Sequence, residues 1–179
     1  MNILFLNAKK TWAGIITWNI SLSRKLQQKG HNCYVITGRK YALAKNKPSD
    51  ISIIDYKFGM NYSPFTIYYI YKFIKTNKID IIVTNIKKEV IAGGIAGKFA
   101  HIPVVRLIGN EKDFYSGKFL ETKFVDYDIF PCEYTRKLAL ERFEWLDKEK
   151  TNVIHTGKDI VAFSEDEIKS KRELWGADE

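Results

Sequence analysis

Two short stretches carry most of the side chains that could do chemistry. The first, Asn7-Ala8-Lys9-Lys10-Thr11-Trp12-Ala13-Gly14, follows an apolar run and opens a helical pattern. Backbone amides at a helix start attract anions, Lys9 and Lys10 add positive charge, and Gly14 lets a ligand come close to the chain. Its single glycine does not make the three-glycine fingerprint of a dinucleotide site. The second, Arg106 to Phe114, leaves another apolar run and offers Asn110, Glu111, Lys112 and Asp113 in succession. A carboxylate there is placed to accept a proton from a hydroxyl, as general-base catalysis requires.

Other candidates weaken on inspection. Gly93 to Phe99 has the Gly-Lys pair of a phosphate loop, but Phe99 stands where a Ser or Thr should follow Lys98. The stretch also sits inside a helical pattern, so its small residues are expected to let a helix lie close on a sheet. His31, His101 and His155 share no metal spacing, so no metal site is expected. His31 and His101 precede apolar runs, whereas His155 follows one. Cys33 and Cys132 are far apart and fit a reduced, intracellular chain better than a disulfide framework.

The elements that must position these residues alternate. Short strands are expected at Asn2–Asn7, Cys33–Ile36, Ile51–Ile54, Ile79–Val83, Pro103–Ile108 and Asn152–Ile154. Between them, helical periodicity covers Ile15 to Leu26, Pro64–Lys75 (opened by Ser63-Pro64), Lys88–Phe99 and Glu133–Trp145, with one more helix from Phe163 to Trp175. Asp128-Ile129-Phe130 leads into the Glu133 helix. Strand-helix alternation of this kind predicts an α/β fold: a doubly wound, mostly parallel sheet with helices on both faces, and Ile3–Leu6 in its centre. Ligands bind such sheets outside the carboxyl ends of the strands, where the strand order reverses. The loops after strands therefore hold the candidate site: Lys9, Trp12, Ala13, Gly14, Asn85, Lys87 and Asn110 for substrate binding, Glu111 and Asp113 for catalysis.

Composition bounds what the fold can serve. The 179 residues are 45% hydrophobic and 14% aromatic, enough for one well-packed domain and unlike a disordered chain. The net charge of +8 suits anionic partners such as phosphorylated ligands or an anionic membrane face. The first residues lack the basic leader and cleavage site of a secretory signal, and no apolar run reaches the roughly 20 residues needed to cross a bilayer.

The opening, MNILFLNAKKTWAGIITWNISLSRKLQQKGHNCYVIT, resembles that of family-four retaining glycosyltransferases of the GT-B fold. The family's helix ends in "LA-x-x-L-x-x-x-GH-x-V", which Leu22 to His31 follows. IDIIVTN with AHIPVVRLIGN is similar to its central pair of strands. DIFPCEYTRKLALERF is similar to its "D-x-I-x-x-x-S-E-x-T-R" segment, with Cys132 in place of the usual serine. VIHTGKDI is similar to the turn "V-I-x-N-G-V-D" that closes the amino-terminal domain, with Thr156 in place of Asn. Four departures stand out: Ala13 precedes a single Gly14 where two glycines are common, Gly109 occupies a frequent histidine position, Thr156 stands where Asn is usual, and Cys132 replaces serine.

The resemblance implies a Rossmann-like, acceptor-side domain over residues 1–162, with 163–179 as the lead-in helix to a carboxy-terminal domain that holds most of the nucleotide-sugar donor. Such a protein moves a sugar to a glycan or lipid-linked acceptor in cell-envelope synthesis, of lipopolysaccharide or capsule. It needs no cofactor and does not act on nucleic acid, and the 179-residue chain alone is expected to be inactive. A sugar-nucleotide epimerase of the same fold, or a non-catalytic binding domain, are the alternatives. The helix Ser63 to Lys78 has more apolar surface than one sheet-facing stripe requires, and Lys72, Lys75 and Lys78 lie beside it. Aromatic and basic side chains together suit the headgroups of an anionic membrane, so the expected location is cytoplasmic, with peripheral contact at the inner membrane face.

Overall fold

The apolar run that opens the chain becomes β1 (Asn2–Asn7), and its alternating side chains explain the whole architecture. Ile3 and Phe5 point to one face and pack with Ile16 and Ile20, whereas Leu4 and Leu6 point to the other and pack with Ile70, Ile74, Ala92 and Ala96. A strand buried on both sides needs helices on both sides, and these follow from the same sequence. The computed structural model describes residues 1–8, 14–38, 50–60, 62–109, 123–155, 157 and 164–176.

After β1 come α1 (Gly14–Gln28), β2 (Asn32–Gly38), β3 (Ser52–Tyr56), α2 (Pro64–Asn77), β4 (Ile81–Thr84), α3 (Lys87–Ala100) and β5 (Val104–Leu107). The chain continues through β6 (Tyr127–Phe130), α4 (Glu133–Arg142), β7 (Thr151–Val153) and α5 (Glu165–Trp175). The seven strands form one sheet in the order β3-β2-β1-β4-β5-β6-β7, and every pairing is parallel. This is the doubly wound α/β sheet expected from the alternation. Strand order reverses between β1 and β4, which places the ligand crevice at their carboxyl ends.

Local signals act where the sequence put them. Gly30 takes φ +84° after α1, a conformation that side-chain-bearing residues rarely adopt. Ser63 caps α2 by accepting from the Thr66 N–H, with Pro64 in the first turn. The glycines of Gly93 to Phe99 are packing residues inside α3. A Cβ on Gly93 would lie 2.5 Å from Leu6 Cδ1, and one on Gly97 2.6 Å from Val104 Cγ2.

Some boundaries moved. Ile79 is not in a strand: its N–H donates to Ile74 O at the end of α2, and pairing begins at Ile81. The helix expected to reach Trp145 stops at Arg142, and Phe143 is extended. Phe143, Trp145 and Leu146 instead fold back on Ile108, Phe130 and Val153 to close the core at this edge of the sheet.

Beneath α3 and α4 lies a feature that periodicity does not reveal. Arg106 on β5 and Asp128 on β6 are register partners, and their fully buried side chains form a double hydrogen bond, Nε to Oδ1 at 2.5 Å and Nη2 to Oδ2 at 3.0 Å. A bidentate fork of this kind is what compensates both charges for loss of water.

Candidate functional site

The crevice end of the sheet is polar because each central strand stops on a polar residue. Asn7 ends β1, Thr37 lies one residue before the end of β2, and Thr84 and Asn85 end and follow β4. All four are buried. By strand alternation Asn7, Thr37 and Asn85 face α1, and α1 meets them with a buried amide of its own, Asn19. Asn19 Nδ2 donates to Asn85 Oδ1 at 2.8 Å, and Asn85 Nδ2 donates to the carbonyl of Leu107 at 3.4 Å. Ser23 Oγ donates to Asn19 O one turn further along α1. Two buried acceptor-capable atoms of this layer, Asn19 Oδ1 and Thr37 Oγ1, have no hydrogen-bond partner among the described residues.

Glu89 completes the arrangement from α3. It is 1% exposed, and its carboxylate accepts the N–H groups of Ala8 (2.5 Å), Asn85 (2.9 Å) and Ile86 (3.2 Å). Those donors leave β1 and β4, the two strands that flank the reversal. Sequence reasoning missed Glu89 and Asn19. Both sit inside helical patterns as single polar residues on a buried face, and that is the signal that could have found them.

Of the residues expected at the site, Gly14, Asn85 and Lys87 are described, and the topology brings all three to the crevice end. Gly14 is exposed at the start of α1, and a Cβ there would meet nothing within 4 Å. Lys87 is exposed in the first turn of α3. Asn85 is buried, with its amide engaged by Asn19 and Leu107. Lys9, Trp12, Ala13, Asn110, Glu111 and Asp113 lie outside the described residues. Among the described residues no group of His, Cys, Asp and Glu could hold a metal ion.

On the α1 face a cavity of about 400 Å³ opens between Trp18, Leu22 and Lys25 on one side and Leu107, Ile129, Ile154 and His155 on the other. Its floor is apolar. His155 is tied by Nδ1 to the carbonyl of Pro131 at 3.1 Å. His101 is exposed as the left-handed cap of α3, and His31 lies near the amino terminus; both are at the end of the sheet away from the crevice. The cysteines differ sharply. Burial pushes the Cys33 thiol up to about 11, whereas hydrogen bonds from the Thr135 side chain and backbone pull Cys132 below its ordinary value.

A parallel sheet reversed at β1/β4, with polar strand ends and a helix start facing the crevice, is a Rossmann-like α/β fold. Residues 12–161 match the family model described as Glycosyltransferase Family 4, and the chain belongs to that family. No curated protein matches it. Among solved structures, a glycosyltransferase from Rickettsia africae is 18% identical with a TM-score of 0.76, over 99% of this chain and 50% of that one. Alr3699/HepE of Anabaena, solved in complex with UDP and glucose, is 18% identical with a TM-score of 0.75, over 98% of this chain and 50% of that one. The UDP-GlcNAc 2-epimerase of Methanocaldococcus jannaschii is 16% identical with a TM-score of 0.60, over 86% and 45%. At these identities the likeness is one of fold. The chain spans about half the length of the solved structures it matches.

Proposed function

We propose that this chain is the acceptor-side half of a retaining glycosyltransferase whose nucleotide-sugar donor is held mainly by a second domain. One observation carries the reading: in a family-four chain, the polar strand ends Asn7, Thr37 and Asn85, the start of α1 and Lys87 all gather at the β1/β4 reversal. Residues 1–162 form the acceptor-side domain, and 163–179 lead into the next. In transfer, the protein positions the reacting groups and stabilises the departing diphosphate, with the amides around Ala13 and Gly14, together with Lys9, at the diphosphate. Trp12, Lys87 and Asn110 contact the acceptor, and Glu111 or Asp113 accepts the proton of the attacking hydroxyl.

The acceptor class is a glycan or lipid-linked glycan of the cell envelope, handled at the cytoplasmic face of the membrane. Support comes from the start of α2. Met60, Tyr62, Phe65 and Tyr68 are 57–85% exposed, and Lys57 and Lys72 are exposed nearby. The rest of the helix is packed: Ile70 and Ile74 are buried, and Tyr69 stacks on Tyr56 at 4.0 Å. The membrane-facing surface is thus the first two turns and the loop before them, narrower than the sequence suggested. No helix among the described residues is long and apolar enough to cross a membrane.

The test is a transfer assay on the protein carrying both halves, using a panel of nucleotide sugars that begins with UDP-glucose. Product should depend on acceptor, and the 179-residue chain alone should give none. Interconversion of the donor without acceptor would instead identify an epimerase. Asp113→Ala or Glu111→Ala should lower turnover about 100-fold or more without lowering the melting temperature. Normal turnover in both variants would remove the general-base assignment. Sedimentation with anionic vesicles should be lost in Phe65→Ser with Tyr68→Ser, and no binding by the unaltered protein at low salt would end the membrane reading.

A further inference from the structure

Glu89 is the third residue of α3, and one of its contacts has a familiar structural purpose. A Glu at that position reaches back to the N–H of the residue before the helix, here Ile86, and so caps it. Capping does not explain the remaining contacts. Oε2 also takes the Asn85 N–H, and Oε1 takes the N–H of Ala8, 81 residues away on the exit of β1. A fully buried carboxylate is costly unless several donors face it, and here, among the described residues, three backbone N–H groups and the positive end of α3 do so. The outcome is a bridge between the exits of β1 and β4, the two strands that frame the crevice.

Asn85 is held in the same bridge by its own N–H, and through its side chain it is joined to Asn19 of α1. One carboxylate thus fixes the exit of β1 at Ala8, the start of α3, and the amide that α1 rests on. We propose that Glu89 is a positioning residue for sugar transfer: it touches no substrate but holds the exit of β1, and with it the start of α1, against the exit of β4. The inference rests on the functional reading above and deepens it.

Glu89→Gln separates this from simple capping. Glutamine has the same length and caps equally well through its one remaining oxygen. Its other terminal atom becomes an NH₂ group, which cannot accept a hydrogen bond. Keeping two N–H donors (Asn85 and Ile86) on the oxygen is better than keeping one, so the Ala8 contact is the one lost. In the 179-residue chain, amide exchange at Ala8 should accelerate about tenfold, as for loss of a hydrogen bond to a charged acceptor, with Asn85 and Ile86 changed far less. Unchanged protection at Ala8 would overturn the bridge.

The kinetic arm uses the protein carrying both halves and whichever nucleotide sugar supports transfer. Turnover should fall on the order of tenfold while the KM for donor stays unchanged, with melting shifted by only a few degrees. Accelerated exchange at Ala8 with normal turnover would overturn the positioning role. If the unaltered protein transfers no sugar, the functional reading fails, and exchange alone decides the bridge. Should Gln fold poorly, Glu89→Asp, one methylene too short to span both exits, gives the same two readouts.

Discussion

Two buried carboxylates, Glu89 at the reversal of strand order and Asp128 toward the sheet edge, solve the same physical problem in opposite ways. Asp128 faces a full positive charge, the Arg106 guanidinium, across neighbouring strands in register. Among the described residues, Glu89 is met by three backbone N–H groups from the ends of two strands and from a helix start. The first arrangement ties strand to strand and is a matter of stability. The second ties the exit of β1 to the exit of β4, at the end of the sheet where ligands bind in such folds.

Breaking the Arg106–Asp128 pair should have the largest effect. Asp128→Ala removes the carboxylate that faces the buried Arg106 guanidinium and should cost about 3–5 kcal/mol in denaturant unfolding. Arg106→Met with Asp128→Leu should recover most of that loss. If the double variant is as unstable as the single one, charge compensation is not what matters at this edge.

Packing sharpens the contrast next. A Cβ on Gly94 of α3 would collide with Phe124, its backbone oxygen lying 2.7 Å away, so Gly94→Ala should lose about 1–3 kcal/mol. Gly14, at the crevice, has open space around it, and Gly14→Ala should fall within about 0.5 kcal/mol of the unaltered chain. Equal losses at the two glycines would mean that the crevice end is not the open region described here. Glu89→Gln falls between the two glycines, at about 1–2 kcal/mol, because it gives up the Ala8 contact and keeps those to Asn85 and Ile86. A loss as large as that of Asp128→Ala would make Glu89 a stability residue like its counterpart.

The smallest effect is chemical rather than energetic. Cys33 is buried under α1 with its thiol raised to about 11, so at neutral pH it is protonated and shielded. Cys132, partly exposed at the start of α4 and lowered by Thr135, should be alkylated first, and faster as pH rises toward 8. Labelling of Cys33 should appear only on unfolding. Early labelling of Cys33 would show that the α1 side of the sheet opens readily.

The sequence alone determined the order and kind of most elements, because burial on both faces of β1 writes a continuous apolar run and helices write a 3.6-residue period. It also placed Gly14, Asn85 and Lys87 at one end of the sheet, since a parallel sheet sends every strand exit to the same side. The glycines of α3 were legible for the same reason, small residues recurring inside a helical pattern. Tertiary structure alone decided which polar residues meet. Arg106 and Asp128 are 22 positions apart, and Ala8 and Glu89 are 81 apart. No local pattern encodes such pairs, because their distances are fixed by strand register and by how a helix docks. The same is true of Phe143 and Trp145, which helical periodicity assigned to a longer α4. Packing against Ile108 and Phe130 was worth more than another turn of hydrogen bonds, and that competition is settled only when the edge of the sheet exists to be covered.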